Sequence, residues 1–192
     1  EEAAILAGLD VKIDCIVNVW GETVAIFAGA PKPTWAAAVA EAKAHYLTPE
    51  AKGEDIVIAN TFAKANEGIM IGLNTAFSAV GDKGGDIVLI ANAPDGQVIH
   101  YLVGNFGKTT SGKLKLQAKV PQNVNHVIVY SEYPDVAGRG YIEESDKVLF
   151  VNNWDDTLQA LQQCHRAEAK VAVLPNAEIQ YFLSQIKERD NS

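Results

Sequence analysis

The chain has 192 residues, of which 48% are hydrophobic and 21% charged, and its formal net charge is −8. This composition is typical of a globular domain with a sizeable core, and it excludes disorder over most of the length. Because an acidic surface repels phosphate backbones and anionic lipid, we expect no nucleic acid and no membrane as partners.

The first 48 residues predict a short helix, a β-hairpin and a longer helix. Residues 1–8 resemble the end of an amphipathic helix closed by a glycine. A helix that starts at its own middle favours a truncated chain over a processed one. Residues 11–19 and 24–28 flank a turn at Gly21, which is typical of a hairpin. Two prolines at the start, Pro31 and Pro33, and the alanine-rich stretch that follows predict a helix from Pro31 to Tyr46.

The rest of the chain predicts strands that alternate with helices. Five apolar runs rich in β-branched residues indicate buried strands, at residues 55–60, 86–92, 126–130, 148–151 and 171–174. Helical patterns cover residues 67–80, 155–165 and 179–186. The alternation predicts an α/β fold: a largely parallel sheet with helices on both faces, preceded by the N-terminal hairpin and helix.

Two features of this part leave alternatives open. Gly68 and Gly72 weaken the first predicted helix, and either Asn153 or Asp155 could cap the second. Residues 108–120 fit an exposed strand or a crossover helix, and their lysines fit a solvated face or an anion site.

Polar loops follow three of the predicted strands, and ligands of open α/β sheets bind beyond the carboxyl ends of the strands. The first loop carries most of the candidate substrate-binding side chains, Asn60, Thr61, Lys64, Asn66 and Glu67. Lys64 suits a carboxylate or phosphate, and Glu67 could act as a base or accept a hydrogen bond from a hydroxyl group. The alternative is that Asn60 and Asn66 cap backbone turns while Lys64 lies in solvent.

The second and third loops are less specific. The second loop, residues 92–97, offers Asn92 as a further candidate for substrate binding, although Asp95-Gly96 in the same loop is a common turn sequence. The third loop, residues 131–135, places a glutamate and an aspartate after a strand. His100, near the second loop, is more simply explained as a surface or core histidine than as a catalytic one.

The histidines and cysteines show no metal-binding pattern along the sequence. His126 and His165 are far apart, and neither Cys15 nor Cys164 belongs to a close cysteine pair. We therefore expect no metal site on this chain, free thiols and a cytoplasmic location. The sequence also lacks a dinucleotide fingerprint, a P-loop and a nucleophile elbow.

The order of several short segments is informative. They are Val17-Asn18-Val19, Phe27-Ala28-Gly29, His45-Tyr46, residues 55–60 with Thr61-Phe62-Ala63, Lys83-Gly84-Gly85 with residues 86–92, and residues 171–175. Their order and spacing resemble the C-terminal half of the nickel-dependent lactate racemase family across nearly the whole chain.

The resemblance implies a two-lobed enzyme with a nickel pincer nucleotide tethered to a lysine of the N-terminal lobe. In that family the cofactor accepts a hydride from the α-carbon of a 2-hydroxy acid, and two histidines of the same lobe move the hydroxyl proton. Residues 1–192 would then be a single C-terminal lobe that closes the cleft and supplies substrate contacts. Its partners would be the N-terminal lobe and a small hydroxy acid, with a homo-oligomer left open. We expect this chain alone to hold no nickel or other cofactor and to be inactive.

One departure bears on the substrate. The family carries a glutamine and, three residues later, a lysine that face the substrate carboxylate. Without a gap these positions fall on Met70 and Leu73, and neither side chain can bind a carboxylate. The sequence therefore favours another hydroxy acid or a sugar acid over lactate, with Lys64, Asn66 and Glu67 as replacement contacts. Two other functions stay open: an α/β domain that binds a small anionic metabolite without catalysis, and a lobe that serves only structure or dimerisation.

Overall fold

A computed structural model describes residues 2–98 and 117–184 of the chain. The chain divides into two compact units, residues 1–48 and residues 49–192. Within the described ranges, no helix is both long and apolar enough to cross a membrane.

The first unit contains a hairpin and two helices, as predicted. Its elements are α1 (Glu2–Leu6), β1 (Lys12–Val17), β2 (Thr23–Gly29) and α2 (Pro31–Tyr46). The strands pair antiparallel, and the turn between them uses Gly21 at a φ of 76°, a conformation that glycine adopts without steric cost. The Tyr46 hydroxyl hydrogen-bonds the backbone N–H and C=O of Val17, at 2.9 and 2.8 Å, and so ties the end of α2 to β1.

The second unit is built on a five-stranded sheet. Its strands are β3 (Ile56–Asn60), β4 (Gly85–Ile90), β5 (Val124–Tyr130), β6 (Val148–Val151) and β7 (Val171–Leu174). They lie in the order β6-β5-β4-β3-β7, and every neighbouring pair is parallel. The predicted parallel sheet is confirmed, and β7, the last strand among the described residues, lies beside β3.

Helices cover both faces of the sheet, which confirms the predicted layers. The helices are α3 (Gly68–Ala79), the short α4 (Val136–Arg139) and α5 (Trp154–Cys164). On one face, Ile69 and Leu73 of α3 are fully buried against strand residues such as Val57 and Leu89. On the other face, Leu161 of α5 packs with the alternate strand residues Ile56, Val88 and Ile128. This separation follows from the two-residue period of strand side chains.

The two glycines of α3 allow the helix to lie close to the end of β3. A Cβ on Gly68 would come within 2.3 Å of the Thr61 Cβ, and one on Gly72 within 2.7 Å of the Thr61 Cγ2. Both glycines therefore serve close packing, although each lowers the intrinsic helix propensity.

The predicted closing helix is wrong over its first half, because residues 179–182 are not helical. The Asn176 N–H instead donates to the Gln180 side chain at 3.0 Å, and the Ala177 N–H donates to the Asn60 carbonyl at 2.8 Å. The first of these bonds is local, whereas the second is tertiary and joins this segment to the end of β3. Of the ambiguous segment 108–120, residues 108–116 lie outside the described residues, as does His100, and Ala118 forms an isolated bridge with Ile142.

Candidate functional site

The parallel sheet brings the loops that follow its strands to one edge, which we call the C-terminal edge. The loop after β3 is the first predicted loop, and the loops after β4 and β5 are the second and third. Since β7 pairs with β3, the segment after β7 lies next to the first loop as well. This is the edge at which ligands bind in open α/β folds.

The segment after β7 holds the first loop in place, because two of its side chains accept hydrogen bonds from backbone N–H groups of the loop. The Asn176 side chain accepts from the Ala63 N–H at 3.2 Å, and the Glu178 carboxylate accepts from the Lys64 N–H at 2.9 Å. The loop that carries Lys64 is therefore anchored by its main chain, and its lysine side chain stays exposed.

Glu178 is a buried carboxylate at this edge. It is 7% exposed, and its Oε2 has no hydrogen-bond partner among the described residues. Burial raises the pKa of Glu178, whereas neighbouring backbone N–H groups and the charge of Lys64 act in the opposite direction. Glu178 is not among the predicted site residues, although the polar residues after residues 171–174 are the same signal that marked the other three loops.

The structure places the residues of the first predicted loop in different environments. Lys64, Asn66 and Glu67 are exposed, and Asn60 is half-buried at the end of β3. Thr61 is only 1% exposed, and its hydroxyl donates to the Ile90 carbonyl at 3.0 Å. Thr61 thus packs beneath α3 and joins β3 to β4, and its contact with substrate stays a prediction.

Asn66 does not cap α3, contrary to the alternative considered for it. Glu67 stands at the N-cap without a side-chain cap, and the buried Gln97 side chain accepts from the Ile69 N–H at 3.2 Å. The same amide of Gln97 donates to the Ala65 carbonyl at 2.5 Å. The second loop therefore holds both the first loop and the start of α3.

The second and third loops are also joined to each other. The Asn92 side chain accepts from the Glu132 N–H at 2.8 Å, and Asp135 accepts from the Gln97 N–H at 3.2 Å. Asn92 is half-buried and, in this structure, orders the third loop. A hydrogen bond from the Tyr130 hydroxyl to Glu132, at 2.6 Å, raises the pKa of Tyr130.

A cavity of about 510 Å³ opens where the loops after β5 and β6 meet. Charged and polar side chains line it, among them Glu132, Asp135, Arg139, Asn152 and Asp156. Arg139 stacks over the Phe150 ring, with the guanidinium carbon 4.6 Å from the ring centre. None of the six predicted substrate-binding residues lines this cavity.

The resemblance would place the two substrate-facing side chains at positions 70 and 73. In the structure, the side chains at both positions point towards the core. Leu73 is fully buried in the core, and Met70 packs against the same core. An ungapped alignment with the family thus assigns its substrate-facing positions to side chains that pack on the sheet side of α3.

The described residues of the C-terminal edge do not fit nickel. They offer amides, carboxylates, a lysine and an arginine, without the imidazole or thiolate ligands that suit such a metal.

Comparison with known proteins identifies a related fold. The chain is similar to the lactate racemase apoprotein from Thermoanaerobacterium thermosaccharolyticum, with a TM-score of 0.64 and 16% sequence identity. The match covers 94% of this chain and 48% of that protein, so the chain spans about half its length. No family model and no curated protein matches the sequence. The structural match defines an α/β domain with a lactate racemase-like fold.

Proposed function

We propose that this chain is the C-terminal lobe of a lactate racemase-like isomerase. The complete protein would racemise or epimerise a 2-hydroxy acid or a sugar acid, with the nickel pincer nucleotide bound mainly by its N-terminal lobe. The observation that carries the proposal is the shared fold over 94% of this chain and about half of the lactate racemase apoprotein. The order of sequence segments supports it independently.

Within this proposal the C-terminal edge supplies substrate contacts. The exposed Lys64 would bind the substrate carboxylate, and Asn66 and Glu67 would contact its hydroxyl groups. The hydrogen bonds that the Asn176 and Glu178 side chains accept from the loop's backbone N–H groups would hold that loop in position before substrate arrives. Such preorganisation lowers the cost of ordering a binding loop.

The test is inversion of a single stereoisomer. The protein that contains both lobes and its cofactor is incubated with pure enantiomers of 2-hydroxy acids and with sugar acids, and the products are separated by chiral chromatography. We expect one substrate class to be inverted by the complete protein and none by the 192-residue chain alone. A complete protein that inverts none of them would overturn the proposal.

A second candidate is a domain that binds an anionic metabolite without catalysis. The observation that favours it is the polar cavity beside Arg139, which is separate from the predicted loop. Calorimetric titration of the chain with small carboxylates and phosphates distinguishes the two. Binding that Arg139→Ala abolishes and Lys64→Ala leaves intact would favour this candidate.

A further inference from the structure

A second cluster of reactive side chains lies at the opposite edge of the sheet, where its strands begin. Asp86 near the start of β4 faces His126 of β5, its register partner, and Cys164 ends α5 beside them. One ligand atom from each of these three residues lies within 4.8 Å of the other two. His165 follows Cys164 and completes the cluster.

The carboxylate of Asp86 is the centre of this cluster. Its side chain is 2% exposed, and its two oxygens lie 3.0 Å from Nδ1 of His126 and 2.7 Å from Nε2 of His165. Cys164 is exposed, and about half of the His126 side chain is accessible. The cluster therefore has a buried anion at its base and a side open to solvent.

We propose that Asp86, His126 and Cys164 bind a zinc ion. The set combines a thiolate, an imidazole and a carboxylate, which are the three kinds of ligand that zinc accepts. His165 would hold the second carboxylate oxygen, as outer hydrogen-bond partners orient metal ligands in many sites. Three protein ligands leave the fourth tetrahedral position to a water molecule.

The ligand chemistry selects the metal. Calcium and magnesium prefer oxygen ligands only, so the thiol and the imidazole argue against both. A thiolate and a carboxylate together would neutralise the two positive charges of zinc. Spacing along the chain does not reveal this site, because its residues come from two strands and the end of a helix. The earlier expectation of no metal on this chain rested on that spacing.

Zinc titration of the untagged 192-residue chain, in competition with a chromophoric chelator, tests the proposal. We expect one zinc ion per chain. His165→Ala should weaken the affinity about 10–100-fold, as the loss of an outer partner does, and Cys164→Ser or His126→Ala should weaken it more. Cys15→Ser and His45→Ala are matched controls, because both residues are exposed and belong to the other unit.

Cobalt substitution gives a readout that separates ligation from folding. A cobalt-loaded chain should show a thiolate-to-metal charge-transfer band that disappears in Cys164→Ser and persists in Cys15→Ser. Circular dichroism establishes that each variant is folded. No zinc binding by the folded chain, or binding that Cys164→Ser leaves unchanged, would show that the cluster is only a hydrogen-bond network. This inference does not depend on the proposed isomerase function.

Discussion

At the scale of single residues, a substitution of Lys64 tests the predicted substrate binding separately from folding. Its side chain is exposed, while its N–H is anchored to Glu178. A charge-assisted bond to a substrate carboxylate is worth about 1.5–3 kcal/mol, so Lys64→Ala should raise KM of the complete protein roughly 10–100-fold. The melting temperature should barely change, because truncating an exposed lysine seldom affects stability.

The matched control for this prediction is Lys52→Ala. Lys52 is also exposed, but it precedes β3 and so stands at the other edge of the sheet. The Lys52→Ala substitution should leave the KM of the complete protein unaltered. If Lys64→Ala also has no effect on KM for any substrate, Lys64 is an ordinary surface residue.

Glu178 predicts a pH dependence of stability. Its pKa is raised above the ordinary value of 4.5 by burial, so the folded state binds this proton more tightly than the unfolded state. The resulting stabilisation is complete below pH 4.5 and is lost as the pH rises through the folded-state pKa. Glu178→Gln keeps an acceptor for the Lys64 N–H and removes the charge. Its melting temperature should therefore exceed that of the wild type at neutral pH, and the gap should close towards pH 4.

Glu50 provides a control of opposite sign. Hydrogen bonds from Ser184, including one from its N–H at 2.9 Å, lower the pKa of Glu50. Its stabilisation is present at neutral pH and is lost as the pH falls through its folded-state pKa. Glu50→Gln should thus be slightly less stable than the wild type at neutral pH. If Glu178→Gln shows the same sign as Glu50→Gln, the carboxylate of Glu178 is better solvated than its burial indicates.

At the scale of elements, the contact between α3 and β3 depends on small side chains. Gly72→Ala improves helix propensity by roughly 1 kcal/mol, but its Cβ would lie 2.7 Å from the Thr61 Cγ2. Overpacking of this kind costs about 1–3 kcal/mol, so we expect Gly72→Ala to be destabilised in equilibrium urea unfolding.

A second substitution tests the cause. Thr61→Ser removes the crowding methyl group and keeps the hydroxyl that donates to Ile90. The cost of Gly72→Ala should be smaller in the Thr61→Ser background, and a double-mutant cycle measures the difference. If the two substitutions have additive effects on the free energy of unfolding, the crowding that destabilises Gly72→Ala lies elsewhere, for example at Leu89, whose Cδ1 is 3.1 Å from the added carbon.

The sequence predicts most elements of the fold because its local signals agree. The strands are continuous apolar runs with turn residues at both ends, so β6 and β7 are predicted to the residue. The prediction of a closing helix is wrong over residues 179–182, because the side chains of Asn176 and Glu178 just before them accept hydrogen bonds from the first loop. The local sequence does not reveal this partner. Tertiary hydrogen bonds override helix propensity there.

The candidate site could be predicted only in part. Polar residues after each strand indicate the C-terminal edge, but strand order decides which loops are neighbours. The pairing of β7 with β3 is what brings Glu178 to Lys64. The link between Asn92 and Glu132 likewise depends on β4 lying beside β5. The roles of Lys64, Asn66 and Glu67 in substrate binding stay predictions.

At the scale of the whole molecule, the two units differ in the size of their buried cores. Among the described residues up to 48, Thr34, Ile16 and Ala38 are buried, whereas Ile5, Leu6 and Ile13 are largely exposed. A hairpin and helices with so small a core are rarely stable in isolation. The second unit has a continuous core on each face of its sheet.

We therefore expect residues 49–192 to unfold cooperatively on their own and a peptide of residues 1–48 to show no cooperative transition. Thermal melts followed by circular dichroism make the comparison, with the 192-residue chain as the reference. A sharp transition in the isolated peptide would show that its small core suffices.

The pairing of β7 with β3 also dictates when the C-terminal edge can form during synthesis. Asp55 and Lys170, which hydrogen-bond next to these strands, are 115 residues apart. At about 5–20 residues per second, a ribosome delivers β7 roughly 6–23 s after β3. Throughout that interval the outer edge of β3 is an unpaired strand edge, a known hazard for aggregation. The first loop acquires its anchor only when Glu178 emerges, so the nascent chain can assemble most of its sheet well before the C-terminal edge is complete.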